Sequence, residues 1–168
     1  AQRDGITTRG VLLDVARARG VDRLGSDDMV TAADLTAAEE MAGVTVSSGD
    51  AVFVRIGMAV RERAEGQPED PSKRVGLGPD CLPWLHDHEV AVYGGDCTDK
   101  LPYPHPQMRL PLHVIGMVAM GMVLLDHPAV EDLADACREE DRHEFFFTVA
   151  PLRVPGGTGS PVNPLCIF

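Results

Sequence analysis

Basic residues are scarce in this chain. Its 168 residues hold 15 lysines and arginines against 26 aspartates and glutamates, giving a formal net charge of −11 and a pI near 4.8. Such a field repels a phosphate backbone, and no basic stripe interleaved with aromatics offsets it, so nucleic acid is not expected as a partner. Long apolar runs are missing too. The longest, Val114 to Leu125, is interrupted by Gly116 and Gly121 and falls short of the roughly 20 residues a membrane span requires, so it reads as core. The cysteines Cys81, Cys97, Cys137 and Cys166 lie far apart and make no C-x-x-C, which removes a zinc knuckle and a dense disulfide framework. A cytoplasmic, reducing location is the expectation, with the thiols buried or idle. Histidine is absent before His86.

The chain opens on Ala1-Gln-Arg-Asp4, without an initiator methionine and without a charged-then-apolar leader, and a strand-like segment follows within a few residues. The expectation is that a preceding part is missing. What is present suits one domain spanning residues 1–168: a hydrophobic fraction of 44% is ordinary for a globular protein, and a chain of this length buries roughly 70% of its unfolded surface.

Strand and helix patterns alternate irregularly along it. Val11 to Val15 reads as a short buried strand, and Thr31-Ala-Ala-Asp34 as a capping-box start for a helix that Gly43 ends, with Leu35, Ala38 and Met41 or Ala42 on its apolar face. Gly49-Asp50 turns into the β-branched strand Ala51 to Ile56. Residues Gly57 to Pro79 mix charge, glycine and proline, a surface excursion with one short helical piece around Ala59 to Ala64. A short helix over Pro79 to His88, a strand over Glu89 to Tyr93, a Gly94-Gly95-Asp96 turn and a proline-dense loop to Pro111 come next. Leu112 to Met120 has helical spacing, Met122 to Leu125 is a strand ending at Asp126, Glu131 to Glu139 is an amphipathic helix, and Glu144 to Ala150 is a strong strand. The fold class these imply is α/β or α+β with a mixed central sheet.

One pair of residues invites chemistry. A helix bearing His113, a turn at Gly121 and a strand ending in Asp126 can return the carboxylate to the neighbourhood of the imidazole, and such a pair is a suitable half-set of ligands for a divalent metal. The bland reading of each residue, a hydrogen-bonded core histidine and a capping aspartate, stands beside it. Other segments read as structural. Gly156-Gly-Thr-Gly-Ser160 lacks the Lys-Ser/Thr ending of a phosphate loop and precedes a proline, not a helix. His86-Asp-His88 falls where a helix frays and reads as solvated surface, and Cys97 has no histidine partner at fixed spacing.

Several segments, taken in order, resemble the cyclase family that includes bacterial kynurenine formamidases and isatin hydrolases. They are Arg9-Gly-Val-Leu-Leu-Asp-Val15, Gly49-Asp-Ala-Val-Phe-Val-Arg-Ile-Gly57, Gly76-Leu77 with Trp84-Leu85, Gly95-Asp96, His113 with Gly121 and Asp126, and Phe145 to Pro164. The closing Ala150-Pro-Leu-Arg-Val-Pro-Gly-Gly-Thr-Gly-Ser-Pro-Val-Asn-Pro164 is the most specific piece.

The resemblance implies a swivelling β/β/α fold and metal-dependent hydrolysis of a cyclic or N-acyl amide, such as an N-formyl amide. It implies zinc or manganese held by an amino-terminal H-x-G-T-H-x-D-x-P-x-H motif, a later His and a later Glu. His113 matches the later His. The Glu falls on Asp126, one methylene shorter. Asp96 is implied as a substrate-pocket residue, with a turn-forming role beside it, and a homo-oligomer as the assembly; Trp84 itself reads as core or as a substrate-pocket wall. The amino-terminal motif does not occur in these residues, so the general-base histidine it would supply is not among them and this chain alone is expected to be inactive. Two other readings remain: a non-catalytic binding protein on the same scaffold, and a biosynthetic cyclase.

Overall fold

In a computed structural model, which describes residues 4–66 and 72–168, the chain forms a six-stranded mixed sheet with helices on both faces. The strands are β1 (Ile6–Asp14), β2 (Ala51–Arg55), β3 (Val92–Gly95), β4 (Val123–Asp126), β5 (Glu144–Val149) and β6 (Leu165–Ile167). They lie in the order β4-β3-β2-β1-β5-β6. The first four strands are parallel, while β5 runs antiparallel to β1 and β6 antiparallel to β5. The mixed α/β sheet expected from the sequence is therefore present.

Helices fill the crossovers: α1 (Val15–Ala18) and α2 (Ala32–Ala42) between β1 and β2, α3 (Met58–Glu65) and α4 (Cys81–Asp87) between β2 and β3, and α5 (Glu131–Glu139) between β4 and β5. The connection from β3 to β4 is made by a π-helix, Leu112–Ala119. Strand alternation sorts the core into two layers. Val11, Leu13, Val52, Val54 and Tyr93 point to the side covered by Leu35, Leu85 and Leu112, whereas Leu12, Phe53, Val92 and Leu125 meet Ala134, Cys137, Phe145 and Phe147.

Several boundaries differ from the sequence reading, each for a local reason. β1 begins at Ile6 because its first residues pair with β5, Ile6 against Val149 and Thr8 against Phe147. Val15 leaves the strand because the Asp14 carboxylate caps α1 through the Arg17 amide at 3.0 Å. Glu89 has a positive φ of 50°, and the Val90 amide closes on Leu85 O at 3.1 Å, so Glu89 and Val90 form the turn that follows α4 instead of starting β3. Gly94 and Gly95, read as a turn, are the end of that strand: a Cβ on Gly94 would lie 2.9 Å from the Phe53 ring. β6 was not anticipated.

The capping box at Thr31 is formed. Its hydroxyl accepts from the Asp34 amide, the Asp34 carboxylate accepts the Thr31 amide at 2.7 Å, and Gly43 ends the helix at φ 64°. Leu35 and Ala38 are buried, and Met41 is exposed. The short helix anticipated within the Gly57 to Pro79 excursion is α3, while residues 67–71 of that excursion lie outside the described residues. Among the described residues no helix is long and apolar enough to cross a membrane.

Candidate metal centre

Four charged residues stand at the carboxyl ends of the parallel strands. In such sheets, that edge is where crossovers diverge and leave room for a ligand. Asp14 ends β1, Arg55 ends β2, Asp96 follows β3, and Asp126 ends β4. The π-helix begins over the same edge, because it starts beyond the carboxyl end of β3 and runs back toward the amino end of β4.

That geometry brings His113 and Asp126 together. His113 Nε2 lies 3.4 Å from Asp126 Oδ2, and the two side chains are 25% and 54% exposed. The contact is long for a hydrogen bond. Two donors of one tetrahedral cation, each about 2.0–2.2 Å from it, stand roughly 3.3 Å apart, close to the separation found here. The shorter aspartate side chain thus reaches the imidazole without the extra methylene of a glutamate. Imidazole nitrogen and carboxylate oxygen are also the donor types that zinc and manganese accept. Among the described residues, no group of three or more His, Cys, Asp or Glu side chains converges on one point, so the pair is a half-set.

A third residue, which sequence reasoning missed, completes the local arrangement. Asp99, 1% exposed, accepts the Leu112 amide on Oδ1 at 2.7 Å and lies 2.8 Å from His113 Nδ1 through Oδ2. Its backbone is fixed by a bridge to Leu77, whose amide donates to Thr98 O at 2.7 Å. Gly76 allows the approach: a Cβ there would stand 2.5 Å from Asp99 C and Lys100 N. Burial opposes protonation of His113, but hydrogen bonds and charge from Asp99 and Asp126 outweigh it and raise the imidazole above its ordinary pKa.

The other anticipated site residues are placed as follows. Asp96, 7% exposed, spends both oxygens on backbone amides, Ile56 N and Met58 N, each at 2.8 Å, tying β3 to the start of α3. Burial pushes it up to about 6 against the pull of those two bonds. Trp84, 8% exposed, donates from Nε1 to Thr36 Oγ1 at 3.1 Å and stacks on His88 at 3.9 Å between ring centroids. His86 is exposed beside Asp87, so His86 and His88 face different surroundings. Cys97 is fully buried, and burial pushes its thiol well up, which leaves no thiolate for nucleophilic attack.

On the opposite face of the sheet, toward α5, lies a second charged cluster that sequence reasoning also passed over. Arg55 binds Asp14 Oδ1 at 2.9 Å and Glu131 Oε2 at 2.9–3.0 Å, all three carboxylate and guanidinium groups being largely buried. The signal for it existed: a charged residue closes an apolar run in each of two strands, Val11-Leu-Leu-Asp14 and Ala51-Val-Phe-Val-Arg55. A cleft of about 490 Å³ bordered by Leu85, Glu89, Met120 and Val123 sits at the opposite, amino-terminal edge of β3 and β4.

Comparison with known proteins assigns the class. The family model described as "Putative cyclase" matches residues 2–100, more than half of the chain, and the chain belongs to that family. Among solved structures it is similar to one described as a novel cyclase, with 28% identity, 97% of this chain and 54% of that chain covered, and a TM-score of 0.81. It is also similar in fold to isatin hydrolase A from Ralstonia solanacearum, at 22% identity over 95% of this chain and 59% of that one, with a TM-score of 0.69. A structure described as a potential metal-dependent hydrolase with cyclase activity matches at 15% identity over 95% and 64%, with a TM-score of 0.61. The chain therefore spans less than two thirds of the length of these relatives. No curated protein matches it.

Proposed function

We propose that the protein to which this chain belongs is a metal-dependent hydrolase of cyclic or N-acyl amides, N-formyl amides among them, and that His113 and Asp126 are two of its metal ligands. One observation supports this reading above others: in a member of the cyclase family, a helix and a strand carrying residues 13 positions apart in sequence set an imidazole nitrogen and a carboxylate oxygen 3.4 Å apart at the carboxyl edge of the sheet. The similarity in fold to isatin hydrolase and to a metal-dependent hydrolase agrees with it.

When bound, a zinc or manganese ion supplies Lewis acidity, which polarises an amide carbonyl and acidifies water toward neutral pH. The chain's own residues contribute placement and charge. Asp126 supplies a negative donor and His113 a neutral one, so the pair leaves a bound dication with net positive charge to spend on the substrate. Catalytic sites of this kind use about three protein ligands with one open position, so activity requires donors beyond this pair.

The test is an assay of the full product of the reading frame that encodes these residues, loaded with zinc or manganese, on an N-formyl aryl amide and on isatin as a cyclic amide. Hydrolysis of either, lost on chelation and reduced at least roughly 100-fold in His113→Ala and Asp126→Ala, is the expected result. Stoichiometric metal without hydrolysis of either class, or hydrolysis indifferent to chelation and to both substitutions, overturns the reading.

A further inference from the structure

We propose that Asp99 is the positioning residue of this centre: it holds the proton of the neutral His113 ring on Nδ1, so that Nε2 presents its lone pair toward Asp126. The use of that lone pair for a metal rests on the reading above. The choice of tautomer does not.

The argument begins with what each atom of Asp99 can do. A carboxylate is an acceptor only. Oδ1 takes the amide of Leu112, the residue just before the histidine, at 2.7 Å, and Oδ2 stands 2.8 Å from Nδ1. A contact of that length between an acceptor-only group and an imidazole nitrogen requires the proton on the nitrogen. With one proton on a neutral ring, Nε2 is bare. Free histidine in water favours the opposite tautomer, with the proton on Nε2, so the preference at His113 is imposed by the fold.

The same carboxylate fixes the ring's direction. By holding the Leu112 amide, it anchors the first turn of the π-helix, whose opening amides have no partner within the helix. By holding Nδ1, it fixes rotation of the imidazole about its own axis. Asp99 is itself immovable, since it is 1% exposed and its neighbours Thr98 and Lys100 are bonded to Leu77 on one side with Gly76 pressed against the backbone on the other. Asp99 and Asp126 address opposite nitrogens of one ring, which separates their roles. Asp126 stands where a cation would be shared, and Asp99 stands behind the ring, out of reach of that point. Orienting carboxylates of this kind commonly stand behind metal-bound histidines.

The experiment is a long-range ¹H–¹⁵N correlation of the imidazole rings in the 168-residue chain at alkaline pH, where the rings are neutral, with His113 assigned by its loss in His113→Gln. The expected wild-type spectrum shows a protonated Nδ1 and a bare, downfield Nε2. In Asp99→Asn the amide oxygen can still accept from Leu112 while its NH₂ donates to Nδ1, so the bare nitrogen should switch to Nδ1. Zinc affinity, read from shifts of the same ring in the full product of the reading frame, should fall roughly 10- to 100-fold. A wild-type ring carrying its proton on Nε2 overturns the proposal without need of any variant, as does an Asp99→Asn ring whose tautomer is unchanged. A switched tautomer with zinc bound at His113 by neither form of the full product supports the positioning role and sinks only the metal reading.

Discussion

Asp14 and Arg55 are register partners at the carboxyl ends of β1 and β2, and their side chains close an ion pair at 2.9 Å with 3% and 8% of their surface exposed. Glu131 joins from α5 at 2.9 Å, so the guanidinium clamps the centre of the sheet to the helix covering its second face. Burial works against the arginine's charge, but the two carboxylates outweigh it and hold its pKa above the ordinary value. Removing the cation strands two acids in a dry setting. Arg55→Ala should therefore cost about 3–5 kcal/mol, whereas Arg138→Ala, which breaks an exposed pair with Asp135 on α5, should cost less than about 1 kcal/mol. Urea unfolding of the two variants checks the contrast.

Asp96 predicts a pH dependence. Its carboxyl is raised from 3.8 to about 6 in the folded chain, chiefly by burial. A raised carboxyl binds its proton more tightly folded than unfolded, so its contribution is fully present below the unfolded pKa and is lost as pH rises through about 6. At about 1.4 kcal/mol per unit, the wild type should lose on the order of 3 kcal/mol relative to Asp96→Asn between about pH 4 and pH 7.5. Unfolding curves of both proteins at the two pH values measure the difference. An unchanged gap would contradict it.

Gly76 predicts a coupling between packing and the site. A Cβ at this position meets backbone atoms of Asp99 and Lys100, which cannot rotate away as a side-chain tip can. Gly76→Ala should lower stability by about 1–3 kcal/mol. It should also shift the imidazole signals of His113, because the displaced segment carries Asp99. Stability loss with an unmoved His113 ring would show that the segment yields elsewhere.

The thiols predict an inert surface. Burial pushes Cys81 and Cys137 up to about 12 and Cys166 up to about 11, and Cys97 lies higher still. A disulfide reagent at mildly alkaline pH should find fewer than one reactive thiol in the native chain and all four in urea. Rapid labelling of the folded chain would place a cysteine in an open, electropositive setting that the fold does not show.

Much of this was legible in the sequence, and the exceptions have physical causes. A short apolar run located the end of β1, β-branched residues located β2, an aromatic-rich run located β5, the Thr31 box located α2, and the helix-turn-strand order from Leu112 to Asp126 allowed His113 and Asp126 to converge. Gly94 and Gly95 misled, because glycines that mark turns in isolation here make room for the Phe53 ring within a strand. β6 escaped because three residues after a proline-rich loop gain strand character only from pairing with β5. Asp99 escaped for a related reason. It sits in a loop between Cys97 and the prolines, 14 positions from the histidine it holds, and only the approach of that loop to Gly76 and Leu77 brings it under the ring.

The central claim is that His113 and Asp126 share a cation, and paramagnetic broadening tests it most directly. Substoichiometric manganese added to the ¹⁵N-labelled full product of the reading frame should first broaden the amides of His113, Val114, Asp126 and His127, and that broadening should vanish in His113→Ala and in Asp126→Ala. Broadening centred elsewhere on this acidic chain, or unchanged in both variants, would contradict the account.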